Sequence, residues 1–428
     1  WNQLAMTKTG EWFTAKGLNV TDRSAYKFFF PTRTADGGYA PDPCARAFDA
    51  PNGYNSIVEN PFRFTWTDTS WATPSLDKMV VYQLHVGTFA GLNDPVGAAP
   101  NPSRFADVTA RAAHLKSLGV NAVQLCPITE YPSNISAGYN PVTFMAPEGT
   151  YGTPDDFKTM VNTLHRNGIA VLVDIVWNHI SPTDNYLWNY DGTQSWFCTP
   201  DASTPWGSQP NFTRAAVAEQ IAYSAHVWMN EYHVDGFRMD GTAFMKVGAN
   251  VSAGWYLMQR LNNEKNQRFV DRVTIAENLP SEAAVSTPTS LGGAGFDSQW
   301  DWFVHNVRDV IQQPWDSGRD MSKIREAITH SYNNNHCERV ISVESHDEVA
   351  NGKQRMSSSI SPTTPGDYWA RKRSTLAGGT SVSFPPVVKA MGIVNFSGQN
   401  SALRLRYSSG TCAFEPPKDA AMASWNLS

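Results

Sequence analysis

Four short stretches of this 428-residue chain carry side chains that can do chemistry. "DIVWNH" (174–179) offers Asp174, Asn178 and His179; "VDGFRMDG" (234–241) offers Arg238 and Asp240; "TIAENL" (274–279) offers Glu277; "VESHD" (343–347) offers His346 and Asp347. Ionised groups are rarely buried without a strong reason, yet Arg238 and Asp240 interrupt a run that otherwise reads as an interior strand. Two residues apart in a strand, they share one face. Two carboxyl groups flanking a bond are what glycoside cleavage needs, one as nucleophile and one as general acid, and a separation of about 5–5.5 Å favours retention of configuration. A neighbouring cation keeps a nucleophilic carboxylate ionised, which is a role for Arg238 beside Asp240. Glu277, followed by no cation in the sequence, is expected to have its pKa raised and to carry a proton near neutral pH. Singly, each residue has a plainer reading: an Asp at a strand end usually caps a helix or binds a loop, an Arg-x-Asp pair is as readily a structural ion pair, and a lone His is usually a structural one. Their joint placement at four strand ends argues for a site.

The elements that must position these groups alternate. Apolar runs at 79–86, 122–128, 170–176, 234–240, 273–279 and 339–347 are separated by amphipathic stretches such as 104–119, 153–168 and 214–232, the first two closed by Gly119 and Gly168. Alternating strand and helix imply a parallel α/β sheet, and six or more units favour a (β/α)8 barrel over a doubly wound sheet. In such a barrel the C-terminal strand ends carry the active site, which is where the polar residues cluster. Residues 1–72 are rich in turns and aromatics and read as part of a small β-sandwich; the barrel is expected over 73–377, with a long loop at 177–213 that holds Trp177, Trp188, Trp196 and Trp206. Loops of that length are usually functional.

Composition narrows the class. The 41% apolar content suits a packed core, and a net charge of −5 argues against a nucleic-acid or anionic-membrane partner. Five cysteines without CxxC spacing indicate neither a zinc site nor a disulfide framework. No run of about 18 apolar residues and no signal peptide is visible, so a cytoplasmic location is expected, although a chain that begins at Trp1 leaves room for a preceding segment.

The segments "DIVWNH", "GFRMDGTAF", "TIAENL" and "VESHDEVANG", together with "GYNPVTFMAPEGTYGTPDDFKTMVNTLHRNGIAVLVDIVWNH", resemble in order and spacing the signature segments of the α-amylase superfamily of glycoside hydrolases, over residues 26 to 377. Within it the likeness is strongest to bacterial 1,4-α-glucan branching enzymes and related α-amylases. The resemblance implies Asp240 as nucleophile, Glu277 as general acid/base and Asp347 as a ligand of sugar hydroxyls in the transition state. It places Asp174, His179, Arg238 and His346 around the same sugar, with Tyr139 stacking beneath it. The implied partner is an α-glucan polysaccharide or oligosaccharide; no redox or organic cofactor is implied, and although many amylases hold structural calcium, no ligand set for it is legible. Asn178 is typical of hydrolysing amylases, and many branching enzymes differ there. Hydrolysis, branching, and trehalose formation or release all remain open, as does an inactive accessory protein. After "YWARKRSTLAG" the likeness stops: the tail 378–428 shows neither an apolar eighth strand nor a further period. A shift of reading frame near Ala377 or a divergent end would each account for it, and without that strand the barrel would be left with open edges.

Overall fold

The structure, a computed structural model, describes residues 3–10, 12–16, 20–49, 54–90, 101–192, 196–349, 353–383, 388–392, 405–408 and 411–414. Eight parallel strands form a closed barrel: β1 (Val80–Leu84), β2 (Ala122–Leu125), β3 (Ala170–Ile175), β4 (Gly236–Met239), β5 (Val273–Ala276), β6 (Ser298–Trp300), β7 (Arg339–Ile341) and β8 (Val388–Gly392). Six of them lie inside the six apolar runs. β6 escapes any reading by period, because three residues, "SQW", are too few to show one.

β8 comes from the tail. It pairs with β7 through Val340–Val388 and with β1 through Lys389–Val80 to Gly392–Gln83, so the described backbone closes where an eighth strand was not legible. Other parts of the tail (384–387, 393–404, 409–410 and 415–428) lie outside the described residues, as do Ala350–Gly352 of the "VESHDEVANG" segment and 193–195 of the long loop.

Helices cover the outside: α1 (Phe105–Ala110), α2 (Ala112–Ser117), α3 (Pro154–Arg166), α4 (Ala215–His226), α5 (Val251–Arg268), α6 (Phe303–Ile311), α7 (Met321–Thr329) and α8 (Tyr368–Ser383). α3 starts from a capping box in which Thr153 and Asp156 exchange backbone and side-chain hydrogen bonds, with Pro154 in the first turn. The stretch expected as one helix over 104–119 is broken at Arg111. The stretch over 214–232 leaves α-geometry after His226 for a π-turn at Val227–Glu231. Over 1–72 the described residues form three two-stranded antiparallel ribbons: Thr7–Thr9 with Trp12–Thr14, Ala25–Tyr26 with Ser56–Ile57, and Phe28–Phe29 with Tyr39–Ala40.

Inside the barrel the strands obey period two. Met79, Val81, Ala122, Ala170, Leu172, Val273, Ile275 and Val340 pack together as one buried cluster toward the strand starts. Two residues further along the same faces stand Gln83, Gln124, Asp174 and Glu277, one layer above the apolar floor. The interior is therefore apolar at one end and polar at the other.

Candidate active site

Arg238 is the hub. It is fully buried, lies beside Asp174 in the β3–β4 register, and shares its strand face with Asp240. One terminal nitrogen, Nη1, donates to Asp174 Oδ1 and to Asp240 Oδ1, each at 2.7 Å; the other, Nη2, lies 3.0 Å from Glu277 Oε2. The guanidinium also rests 4.6 Å from the centre of the Trp300 ring and 5.7 Å from that of Tyr139. Arg238 stays charged: burial pulls its pKa down, but the carboxylates of Asp174 and Glu277 raise it well above the ordinary value.

Three carboxyl groups around one cation cannot all ionise cheaply in a desolvated site. Glu277 responds most. Burial, with Asp240 and Asp347 behind it, pushes its carboxyl up to about 7 even though Arg238 pulls the other way. The expected rise is present, but its reason differs from the one expected, since a cation does adjoin Glu277. Burial likewise lifts Asp174 to about 6 against the pull of Arg238. Glu277 is aimed by the Gly241 N–H, which donates to Oε2 at 2.8 Å.

Asn178, at the start of the loop leaving β3, donates to both the carboxylate Oδ2 (2.9 Å) and the backbone carbonyl (2.7 Å) of Asp240. Its own Oδ1 lies 2.6 Å from His179 Nδ1, and His179 Nε2 lies 2.8 Å from the Tyr139 carbonyl. Burial moves the His179 pKa down. Tyr139 donates its hydroxyl proton to Asp174 Oδ2 at 2.8 Å and stacks on His346, ring centres 4.8 Å apart and 17° from parallel. Desolvation raises its pKa well above the usual phenol range.

His346 and Asp347 sit not on a strand, as the run 339–347 suggested, but on a helical turn, His346–Val349, beyond β7. His346 Nε2 is 3.2 Å from Asp347 Oδ2. Burial alone would raise the Asp347 carboxyl; the His346 contact, with Arg238 and Lys353 beyond, brings it below the ordinary value.

The structure thus brings Tyr139, Asp174, His179, Arg238, Asp240, Glu277, His346 and Asp347 to one end of the barrel. Asn178, offered by "DIVWNH", joins them, as do three residues that the sequence reading did not single out: Gly241, Trp300 at the end of β6, and Gln83 near the end of β1. Gln83 carried the same signal as Arg238, a polar residue inside an apolar run. Among the described residues no group of three or more His, Cys, Asp or Glu is arranged to hold a metal ion.

A family model described as the α-amylase catalytic domain matches residues 104–211. Over residues 104–211 the chain is thus similar to the α-amylase family. A 1,4-α-glucan branching enzyme of Streptomyces coelicolor is 30% identical over 84% of this chain and 50% of its own length. A malto-oligosyltrehalose trehalohydrolase of Saccharolobus solfataricus is 29% identical over 70% of this chain and 50% of its own length. In fold, the chain overlaps a solved structure from Salmonella typhimurium, assigned as an α-amylase, with a TM-score of 0.72 at 23% identity, over 91% of this chain and 67% of that one. The chain spans about half the length of the curated relatives it matches. Among the described residues no helix is long and apolar enough to cross a membrane.

Proposed function

We propose that this chain is the catalytic part of a retaining enzyme on α-1,4-glucans, most simply a branching enzyme that transfers the cleaved glucan to a 6-hydroxyl. The observation that carries this reading is the pair Asp240 and Glu277 on one guanidinium, the second raised to about 7 while the first is bonded to Arg238 and Asn178. Asp240 attacks the anomeric carbon as the glycosidic C–O bond breaks, and Glu277 gives its proton to the departing oxygen. Glu277, now ionised, takes the proton of an incoming hydroxyl, whose oxygen attacks the same carbon and releases the Asp240 carboxylate. Asp347 and His346 bind ring hydroxyls, His179 and Asp174 line the same sugar, and Tyr139 supplies a flat face beneath it. Pocket shape, rather than these groups, decides whether the acceptor is water or a sugar. A trehalose-releasing hydrolase is the second reading, favoured by the trehalohydrolase likeness.

Residues 1–72 are proposed as an N-terminal β segment, the barrel as the catalytic domain from 73, and 378–428 as an atypical tail that lends β8 to the barrel. With this reading goes a cytoplasmic location, which suits Cys44, Cys126 and Cys198, none of them in a disulfide among the described residues. Proton NMR of amylose incubated with the protein tests the reading. Growing α-1,6 anomeric signal with few new reducing ends is expected; rising reducing ends alone would mean hydrolysis, and an unchanged spectrum would refute both.

A further inference from the structure

We propose that Gln83 is a positioning residue that sets the tautomer of His346, so that His346 presents its proton from Nε2 toward Asp347 and the bound sugar. The proposal rests on the functional reading above for its kinetic consequence, though not for the tautomer itself. Gln83 is the penultimate residue of β1, faces the inside of the barrel and is buried, 3% exposed. It meets His346 twice: the His346 backbone N–H donates to Gln83 Oε1 at 2.9 Å, and Gln83 Nε2 lies 3.1 Å from His346 Nδ1.

These two contacts fix one another. A backbone N–H can only donate, so the amide oxygen must face it, and the amide NH2 is then left facing the ring. An NH2 can only donate, so Nδ1 must accept. The ring proton therefore sits on Nε2, which is the nitrogen 3.2 Å from the Asp347 carboxylate. Tyr139 does not change this: its hydroxyl is 3.4 Å from Nδ1 but spends its single proton on Asp174 Oδ2 at 2.8 Å. The groups facing the ring are thus Gln83 and Tyr139 on Nδ1, Asp347 on Nε2, the Tyr139 face at 4.8 Å and Trp300 at 5.8 Å. The other tautomer would point an N–H at the amide NH2 and a lone pair at a carboxylate, two mismatches in a desolvated site.

The test uses the full chain labelled with 15N-histidine, the His346 signals assigned by their loss in His346→Gln. In the unsubstituted protein Nδ1 is expected to resonate as an unprotonated ring nitrogen and Nε2 as a protonated one. A protonated Nδ1 there would overturn the proposal without any activity measurement. Gln83→Glu keeps an acceptor for the backbone N–H but replaces the donor to Nδ1 by a second acceptor. It should place a proton on Nδ1, change the pH–rate profile, and lower kcat by about 10²-fold, the usual cost of misaligning one transition-state donor, with KM changed far less. Gln83→Met, which removes the donor without reversing its polarity, should lower kcat less and leave the profile's shape. Equal losses in both variants, with the ring pattern unmoved in Gln83→Glu, would mean that Gln83 only packs. If the chain cleaves no α-glucan at all, the functional reading fails while the nitrogen signals still decide the tautomer.

Discussion

At the scale of single residues, Glu277 ties stability to function. Its folded pKa rises from the ordinary 4.5 to about 7, so between those values the folded chain holds a proton that the unfolded chain has lost. Stability from this group is full below about pH 4.5 and declines as pH rises toward 7. Glu277→Gln should therefore melt a few degrees higher than the parent at pH 8 and no higher at pH 4, as expected when a raised buried carboxyl is removed. The same variant should lose about 10²–10⁴-fold in kcat on glucans with poor leaving groups, and much less on an activated glycosyl fluoride, which needs little protonation. Activity of the parent should fall as pH passes upward through about 7, where Glu277 loses its proton. Most of these groups were legible because each is a polar residue breaking an apolar run. Gln83 broke one too, but its partner lies 263 residues away, and no local pattern reports a contact that long. Trp300 was hidden for the opposite reason, since an aromatic residue in a short segment looks like ordinary core.

The elements hold these residues through close backbone approach. Gly241 links β4 to the short helix Thr242–Met245 at a φ of 51°, and a Cβ there would stand 2.9 Å from Asn178 Nδ2, the group that holds Asp240. Gly241→Ala should cost roughly 1 kcal/mol from the left-handed backbone and at least 10-fold in kcat by displacing Asn178, checked by chemical melting alongside kinetics. Gly236, which opens β4 at a φ of 152°, is less forgiving: an added Cβ would lie 1.9 Å from the Val273 carbonyl on β5. The alternation of strands and helices was legible because parallel strands buried on both faces give long apolar runs, and Gly119 and Gly168 do end their helices at φ 81° and 77°. Helix breaks at Arg111 and His226 were not legible, because tertiary packing rather than periodicity decides them.

Across the whole molecule, the segment that leads into the barrel is clamped beneath it. His165 on α3 lies 2.8 Å from Asp68 through Nδ1 and 2.8 Å from Asp235 through Nε2, while Trp71 stacks on its ring and donates to Asp235 at 2.7 Å. His233 also reaches Asp68, at 3.0 Å, with Trp66 stacked on it. Both carboxyls are buried, which opposes ionisation, yet their histidine partners hold them below the ordinary carboxylate range. The stability they contribute is thus present above the unfolded carboxylate pKa and is lost as pH falls through the lower folded values. His165→Ala, which strips a fully buried partner from two acids, should destabilise by about 3–5 kcal/mol in a urea melt at pH 7. At the other end of the chain, β8 supplies the pairing that β7 and β1 lack without it. A version ending at Ser383 should expose both edges and show a broader melt with concentration-dependent aggregation in light scattering. That strand was not legible because "VKAMG" is short and sits in a tail with no period around it.

The measurement that tests the central claim most directly is mass spectrometry of the protein after reaction with a fluorinated maltosyl fluoride, in which fluorine slows turnover of the glycosyl-enzyme. The account predicts one added glycosyl mass, carried as an ester on the peptide that contains Asp240 and absent in Asp240→Asn. A label on Glu277 or Asp347, or turnover that proceeds with no covalent adduct, would contradict it.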